Sequence, residues 1–163
     1  MDQLEELREK FRLSDREKAI LSEIIIGDFT KNIKAEEKPV AIILGGQPGS
    51  GKSELTTAAL KMLKGNAVIC NADEYRDYHP KAEEIKENHE EFYPELTVDY
   101  SQPWNNELRA YCEGHKLNFI LETTFSSGQR MNDTIKQIKA KGYQVYLLVL
   151  SVNEQLSFLG TRI

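Results

Sequence analysis

Residues 46–53 read Gly-Gln-Pro-Gly-Ser-Gly-Lys-Ser, and this segment constrains the fold more than any other part of the chain. It matches the phosphate-binding loop pattern G-x-x-x-x-G-K-[ST], also called Walker A. A β-branched apolar run, residues 40–44, precedes the segment, and residues 54–63 follow it with apolar side chains at helical spacing. A buried strand, a glycine-rich turn and a helix are the context in which this pattern forms a site. The segment therefore predicts a P-loop α/β fold.

The residue types of the loop explain how it would hold a phosphate chain. Its glycines let the backbone curl around the phosphates with the N–H groups directed inward, and the following helix adds its positive N-terminal end. Lys52 would reach the β- and γ-phosphates, and the hydroxyl of Ser53 would bind Mg²⁺. The predicted ATP-binding residues are Gly46, Gln47, Pro48, Gly49, Ser50, Gly51, Lys52 and Ser53. A glycine-rich turn that binds nothing is the alternative, and the flanking strand and helix argue against it.

The composition is that of a soluble globular protein with a small-molecule ligand. The 163 residues are 40% hydrophobic and 29% charged, which is enough for a buried core. The net charge of −5 argues against non-specific nucleic-acid binding. No apolar run is long enough to span a membrane, and the N-terminus does not resemble a signal peptide. Cys70 and Cys112 have no metal-ligand spacing, which predicts free buried thiols in a reducing cytoplasm.

Hydrophobic periodicity predicts an N-terminal helical segment at residues 1–38 that packs on a P-loop core at residues 39–163. A capping box, Ser14-Asp15-Arg16-Glu17, opens the second N-terminal helix. The predicted strands are 40–45, 67–70, 118–121 and 144–150. The predicted helices are 2–12, 14 to Gly27 or Thr30, 52–63, 80–91, 103–114 and 128–141, with a last one from Asn153. Pro103 is interpreted as the first residue of its helix. The alternation predicts a parallel sheet with flanking helices.

Polar side chains follow the predicted strands at the sheet edge where ligands bind in folds of this kind. Asp73 follows the second strand and is the candidate to accept the proton of an attacking hydroxyl, with a helix cap or turn as the alternative role. Glu122 follows the third strand and resembles the acid that ends a Walker B strand, where it would hold a magnesium-bound water. A strand-end salt bridge is its alternative role. For His79 we favour a structural role, such as capping the next helix, over lining a substrate cleft.

Several short segments, in this order, resemble the zeta toxins, the kinase components of bacterial toxin–antitoxin systems. The segments are residues 44–53, Asn71-Ala72-Asp73-Glu74-Tyr75 with His79-Pro80, Leu121-Glu122-Thr123-Thr124, Lys141-Gly142-Tyr143 and Phe158-Leu159-Gly160-Thr161. The resemblance runs from about residue 14 to the end of the chain. It implies ATP-dependent phosphorylation of UDP-N-acetylglucosamine on the 3′-hydroxyl of its amino sugar, a toxic activity that starves cell-wall synthesis.

The resemblance also implies roles for individual residues. These are phosphate binding for Lys52, magnesium binding for Ser53, proton acceptance for Asp73 and contact with the sugar nucleotide for Thr124. Asn106 or Glu107 lies where the family places a substrate-binding acid, and Glu107 is preferred because of its charge. A small helical antitoxin is the implied partner. Residues 14–30 are a candidate part of its interface, with ordinary packing as the alternative.

The chain departs from the family pattern in two places. Where the family often has an arginine, two positions after Thr124, this chain has Ser126. The family also places phosphate-stabilising arginines just past Phe158-Leu159-Gly160-Thr161, whereas this sequence ends at Ile163. We therefore expect a truncated form of a longer kinase, with a complete protein of a related fold as the alternative. The other functions considered are a P-loop kinase for another small molecule or a polynucleotide end, and a weakly active or inactive partner-binding fragment.

Overall fold

The computed structural model describes residues 2–45, 52–125, 127–150 and 156–157. The α-helices in these ranges are α1 (Gln3–Lys10), α2 (Asp15–Thr30), α3 (Lys52–Met62), α4 (Ala82–His89), α5 (Tyr93–Gly114) and α6 (Gly128–Ala140). The strands are β1 (Val40–Leu44), β2 (Val68–Cys70), β3 (Phe119–Glu122), β4 (Gln144–Leu150) and β5 (Leu156–Ser157), and 3₁₀ helices cover Ala72–Tyr78 and Glu90–Phe92. No helix in the described ranges combines the length and the apolar character needed to cross a bilayer.

The strands form one sheet in the order β2-β3-β1-β4-β5. The pairs β2–β3, β3–β1 and β1–β4 are parallel, and β5 runs antiparallel to β4. Leu44, the last residue of β1, pairs with Glu122 on one side and Leu148 on the other. The predicted α/β fold with a parallel sheet is therefore confirmed, and the register brings the ends of β1 and β3 level with each other.

The chain divides into two compact units, each with its own core. The first contains Met1–Phe29 and Asn71–Leu108, and the second, which holds the sheet, contains Thr30–Cys70 and Arg109–Ile163. The predicted division into a helical segment at 1–38 and a kinase core at 39–163 stays a prediction.

In the sheet unit, α3 packs on the strands through an apolar core. All four residues of β3 and all residues of β1 except Val40 are buried, as parallel strands covered on both faces require. The buried members of this core are Ile42, Leu44, Leu55, Ala59, Ala67, Ile120 and Leu148. Each contributes roughly 25 cal/mol per Å² of apolar surface removed from water. This packing fixes the first turns of α3 against the strands.

Buried polar side chains join the segments around the sheet. Asn118, directly before β3, accepts a hydrogen bond from the Val40 backbone N–H (2.7 Å) and donates to the Asn66 carbonyl (3.0 Å). The Tyr143 hydroxyl lies 2.8 Å from the Cys112 carbonyl and 2.7 Å from the Leu117 carbonyl, where it donates its proton. These bonds satisfy backbone groups at the end of α5 and the approach to β3, groups that would otherwise be buried without partners.

The two cysteines of the sheet unit lie against each other. Cys70 and Cys112 are free and buried. The hydrogen bond with Cys112, followed by burial, raises the pKa of the Cys70 thiol well above its ordinary value. Because only the thiolate is strongly nucleophilic, the raised pKa disfavours reaction of Cys70 in the folded chain.

In the other unit, the N-terminal helices pack against α4 and α5. Its apolar core contains Leu7, Phe11, Ile85 and Leu96. The predicted capping box is confirmed, because the Ser14 backbone N–H donates to the Glu17 carboxylate (3.0 Å) and the Glu17 N–H donates to the Ser14 hydroxyl (3.1 Å). Helix α2 is further tied to α5 by the Trp104 indole N–H, which donates to the Lys18 carbonyl at 3.1 Å.

Some predicted element boundaries are wrong. Pro103 does not begin a helix but lies inside α5, which begins at Tyr93. The helix continues through this proline because Leu96, Trp104 and Leu108, on both sides of it, are buried. Burial of such large side chains stabilises the helix enough to offset the cost of about 3 kcal/mol for an internal proline.

Two further differences concern the segments around the second and fourth strands. The polar stretch after β2, for which no element was predicted, forms the 3₁₀ helix Ala72–Tyr78, and Asn71 caps it by accepting from the Asp73 N–H. Leu156–Ser157 is a strand rather than part of the helix predicted from Asn153. Its pairing with the edge of β4 supplies backbone hydrogen bonds that the local sequence pattern does not reveal. Asn153 itself lies outside the described residues.

Candidate functional site

The entrance to the predicted phosphate loop is fixed by the sheet. The Gly45 N–H, directly after β1, donates to the Leu148 carbonyl at 2.8 Å. A side chain at this position would place its Cβ 2.6 Å from Cγ1 of Val149, which is far inside van der Waals contact. Only glycine therefore fits at the position that directly follows β1, where the backbone passes close to Val149. Residues 46–51 lie outside the described residues, and Lys52 and Ser53 are the first residues of α3.

Glu122 lies beside this entrance. It is the last residue of β3, rather than the first residue after it as predicted, and it pairs in register with Leu44. The residue is only 9% exposed. The Thr56 hydroxyl on the second turn of α3 donates to Oε2 of Glu122 at 3.2 Å. The structure thus joins a buried carboxylate to the helix that follows the predicted loop.

No sequence motif singles out Thr56. It lies three positions after Ser53 in the sequence, and residues at this spacing share one helix face. That spacing was the available signal, but the partner carboxylate is distant in sequence and only the fold reveals it.

Thr124 follows β3 in a segment without regular structure, and it is exposed. Ser126, the position of the missing family arginine, lies outside the described residues. The next residue, Ser127, caps α6 by accepting a hydrogen bond from the Arg130 N–H at 3.1 Å. The predicted contact between Thr124 and a sugar nucleotide stays a prediction.

Asp73, the predicted proton acceptor, lies in the 3₁₀ helix of the other unit. Its backbone N–H donates to the Asn71 side chain at 3.0 Å, and its Oδ1 accepts from the Arg76 guanidinium at 2.7 Å. The Asp73 side chain is 66% exposed, so its carboxylate is open to a ligand. Arg76 belongs to no sequence motif. Its Nε is buried without a hydrogen-bond partner among the described residues.

Asn106 and Glu107 lie on α5, in the same unit as Asp73. Asn106 is exposed. The Glu107 carboxylate accepts a hydrogen bond from the buried hydroxyl of Ser22 on α2. Glu107 therefore has a structural partner that holds α2 on α5, and its predicted role in substrate binding stays a prediction.

His79 has a structural role, as predicted. It is 2% exposed, its Nδ1 accepts from the Lys81 N–H at 3.0 Å, and its Nε2 lies 2.9 Å from the Phe11 carbonyl. An acceptor at Nδ1 requires that Nε2 carry the proton, so the ring is neutral and donates to Phe11. Burial lowers the pKa of His79 below its ordinary value.

Oxygen ligands for a hard cation are present in the sheet unit. Within the described ranges, no three His, Cys, Asp or Glu side chains gather into a metal-binding group. Magnesium, however, commonly binds through one or two protein oxygens together with phosphates and water. The Glu122 carboxylate at the end of β3 fits that kind of site.

Comparison with known proteins gives the family. The sequence model of the family described as Zeta toxin matches residues 26–163, which is most of the chain. The chain belongs to the zeta toxin family. Among its relatives is Toxin PezT of Streptococcus pneumoniae, which is 31% identical over 134 residues, or 82% of this chain and 53% of that protein. This zeta toxin chain spans about half the length of the curated relatives it matches.

Solved structures agree with this assignment. The chain resembles a structure from the PezAT chromosomal toxin–antitoxin system of Streptococcus pneumoniae with a TM-score of 0.79 and 27% identity, covering 85% of this chain and 58% of that one. It also resembles the AvrRxo1-ORF1:ORF2 complex with ATP at a TM-score of 0.50 and 18% identity, covering 88% and 43% of the two chains. The second likeness concerns the fold alone. The zeta toxin chain therefore has a kinase-like fold.

Proposed function

We propose that this zeta toxin chain binds ATP and magnesium at residues 46–53 and phosphorylates the 3′-hydroxyl of UDP-N-acetylglucosamine. One observation carries the proposal: β1 ends at Leu44 and α3 begins at Lys52. The glycine-rich segment thus connects a buried parallel strand to a helix N-terminus, the context in which such segments bind phosphates. Membership of the zeta toxin family supports kinase chemistry.

In the proposed reaction, the sugar hydroxyl oxygen forms a bond to the γ-phosphorus while the bond from that phosphorus to the bridging oxygen breaks and ADP leaves. Asp73 takes the hydroxyl proton. Because Arg76 occupies Oδ1 of Asp73, we assign the proton to Oδ2. Lys52 offsets the charge of the phosphates, and Ser53 and Glu122 would hold magnesium, Glu122 through a water. When bound, magnesium neutralises charge on the phosphate oxygens.

The test is incubation with Mg-ATP and UDP-N-acetylglucosamine, with the products read by mass spectrometry. We expect a singly phosphorylated sugar nucleotide from the wild type. Asp73→Asn should lower the rate by about 10²–10⁴-fold, the usual contribution of a general base. The matched control is Asp133→Asn, the same change at an exposed position of α6, which should keep the wild-type rate. Equal turnover by both variants would remove Asp73 from the mechanism.

The same assay separates the alternatives. Because this chain has Ser126 in place of the family arginine, the alternative phosphate acceptors are nucleosides, antibiotics and polynucleotide ends. Phosphate transfer to one of these, with none to UDP-N-acetylglucosamine, would replace the proposed substrate while keeping the kinase. ATP binding without transfer to any acceptor would instead favour a partner-binding fragment.

We also propose a small helical antitoxin as the partner of this chain. The structural relative from the PezAT toxin–antitoxin system supports this, as do Ile20 and Ile24, which are each 46% exposed one turn apart on α2. Co-expression with the PezAT antitoxin and gel filtration would test it. Complex formation by the wild type and its loss in the double variant Ile20→Glu, Ile24→Glu are expected. The free thiols and the proposed substrate support a cytoplasmic location as a further part of this proposal.

A further inference from the structure

The Glu122 carboxylate is a buried polar group that requires partners. The residue is 9% exposed, and a carboxylate withdrawn from water is stable only where donors or cations replace the lost hydration. The Thr56 hydroxyl is one such donor, 3.2 Å from Oε2. A carboxylate accepts about four hydrogen bonds on its two oxygens. A donor at Oε2 therefore fixes the orientation of the group and leaves Oε1 able to accept from something else.

Both partners stand on rigid elements. On α3, the neighbours of Thr56 include Leu55 and Ala59, which are 1% and 0% exposed and pack on the sheet. On β3, Glu122 is held by its pairing with Leu44. Threonine is branched at Cβ, so its hydroxyl has few directions available on a helix. A bond between two such groups fixes the carboxylate more precisely than a bond from a long flexible side chain would.

We infer that Thr56 is a positioning residue, whose hydroxyl holds Oε2 of Glu122 so that Oε1 accepts from a magnesium-bound water. The inference rests on the proposed function, in which residues 46–53 hold Mg-ATP. Thr56 acts through Glu122 rather than on the metal itself. Removing a group that orients a metal ligand in this way typically weakens metal binding by about 10–100-fold.

The test measures metal binding rather than turnover. Mn²⁺ replaces Mg²⁺, and its affinity for the ATP complex of the full chain is read from the electron paramagnetic resonance signal of free Mn²⁺. Thr56→Val removes the hydroxyl with little change of shape and should weaken Mn²⁺ binding about 10-fold. Thr56→Ser keeps the hydroxyl and should bind Mn²⁺ with the affinity of the wild type. ATP binding measured without metal should be the same in all variants.

Thr57→Val is the matched control, because it is the same change at the exposed neighbouring position of α3. It should bind Mn²⁺ as the wild type does. Wild-type affinity in Thr56→Val would overturn the inference and leave the proposed function standing. Equal losses in Thr56→Val and Thr56→Ser would also overturn it, since packing rather than the hydroxyl would then be responsible. Failure of the wild type to bind Mn²⁺ and ATP would overturn the proposed function and the inference together.

Discussion

At the scale of single residues, His79 ties the end of α1 to the chain that precedes α4. Its two ring nitrogens bond to Lys81 and Phe11, and the bond that Nδ1 accepts from Lys81 requires the neutral ring. Burial lowers the pKa of His79, an effect that the Phe11 carbonyl and the Glu17 carboxylate partly oppose. His79 therefore takes up a proton at lower pH in the folded chain than in the unfolded chain.

This linkage predicts a loss of stability in mild acid. The unfolded histidine takes up a proton near its ordinary pKa of about 6.5, whereas the folded one does so only at lower pH. Its contribution is fully present above about pH 6.5 and is lost as the pH falls toward the folded pKa. Melting temperatures between about pH 7.5 and about pH 5.5 should fall less steeply in His79→Gln than in the wild type. His115→Gln, at an exposed histidine, should keep the wild-type slope.

Tyr143 offers a second test at this scale. Its hydroxyl serves two carbonyls, those of Cys112 and Leu117, and the residue is 4% exposed. Tyr143→Phe would leave those carbonyls short of a donor, at a cost of about 1–3 kcal/mol. Urea denaturation should measure this loss. Tyr146→Phe, at a half-buried tyrosine of β4, should lower the free energy of unfolding by less than half as much, and equal losses would contradict the assigned role.

At the scale of elements, the internal proline of α5 is a local weakness. Pro103 lies in the middle of a helix that runs from Tyr93 to Gly114, and it is exposed. Pro103→Ala restores a backbone donor and removes a steric clash in the preceding turn. The free energy of unfolding should therefore rise by about 1–3 kcal/mol. The neighbouring exposed change Gln102→Ala should alter it by less than about 0.5 kcal/mol, and a similar gain there would mean that the proline is not the cause.

The elements that could be predicted are those with local chemical signals. The Ser14–Glu17 capping box and the glycine that follows α6, Gly142 at φ +93°, mark helix ends through their own backbone requirements. The predicted helix start at Pro103 is wrong because proline is also favoured at the first position of a helix. What extends α5 through it is burial of side chains such as Trp104, and burial depends on the partners that the fold supplies.

The residues of the candidate site also fall into two groups, those that a local sequence pattern marks and those that only the fold reveals. Asp73 and Glu122 could be singled out because residues at strand ends lie near ligands in parallel sheets. Thr56 and Arg76 could not, because each matters through one neighbour, Glu122 in one case and Asp73 in the other. A threonine on a helix or an arginine in a polar stretch has no pattern of its own to distinguish it.

At the scale of the whole molecule, the proposed function predicts a stability that depends on nucleotide. A ligand that binds only the folded state stabilises it by about 2.7 kcal/mol at a concentration 100 times its Kd. Mg-ATP should therefore raise the melting temperature of the wild type. Lys52→Ala should abolish most of this rise, and Lys61→Ala, an exposed lysine later in α3, should keep it. An equal rise in Lys52→Ala would count against residues 46–53 as the binding site.

The contact between Cys70 and Cys112 offers a way to measure how often the sheet unit opens. Since both sulfurs are buried, a maleimide reagent can modify either one only when the sheet unit opens. At high reagent concentration, the labelling rate equals the opening rate of that unit, and at low concentration it follows the equilibrium between closed and open forms. Mass spectrometry of intact protein would resolve chains with one label from chains with two. Double labelling in a single step would mean that the end of β2 and the end of α5 separate together.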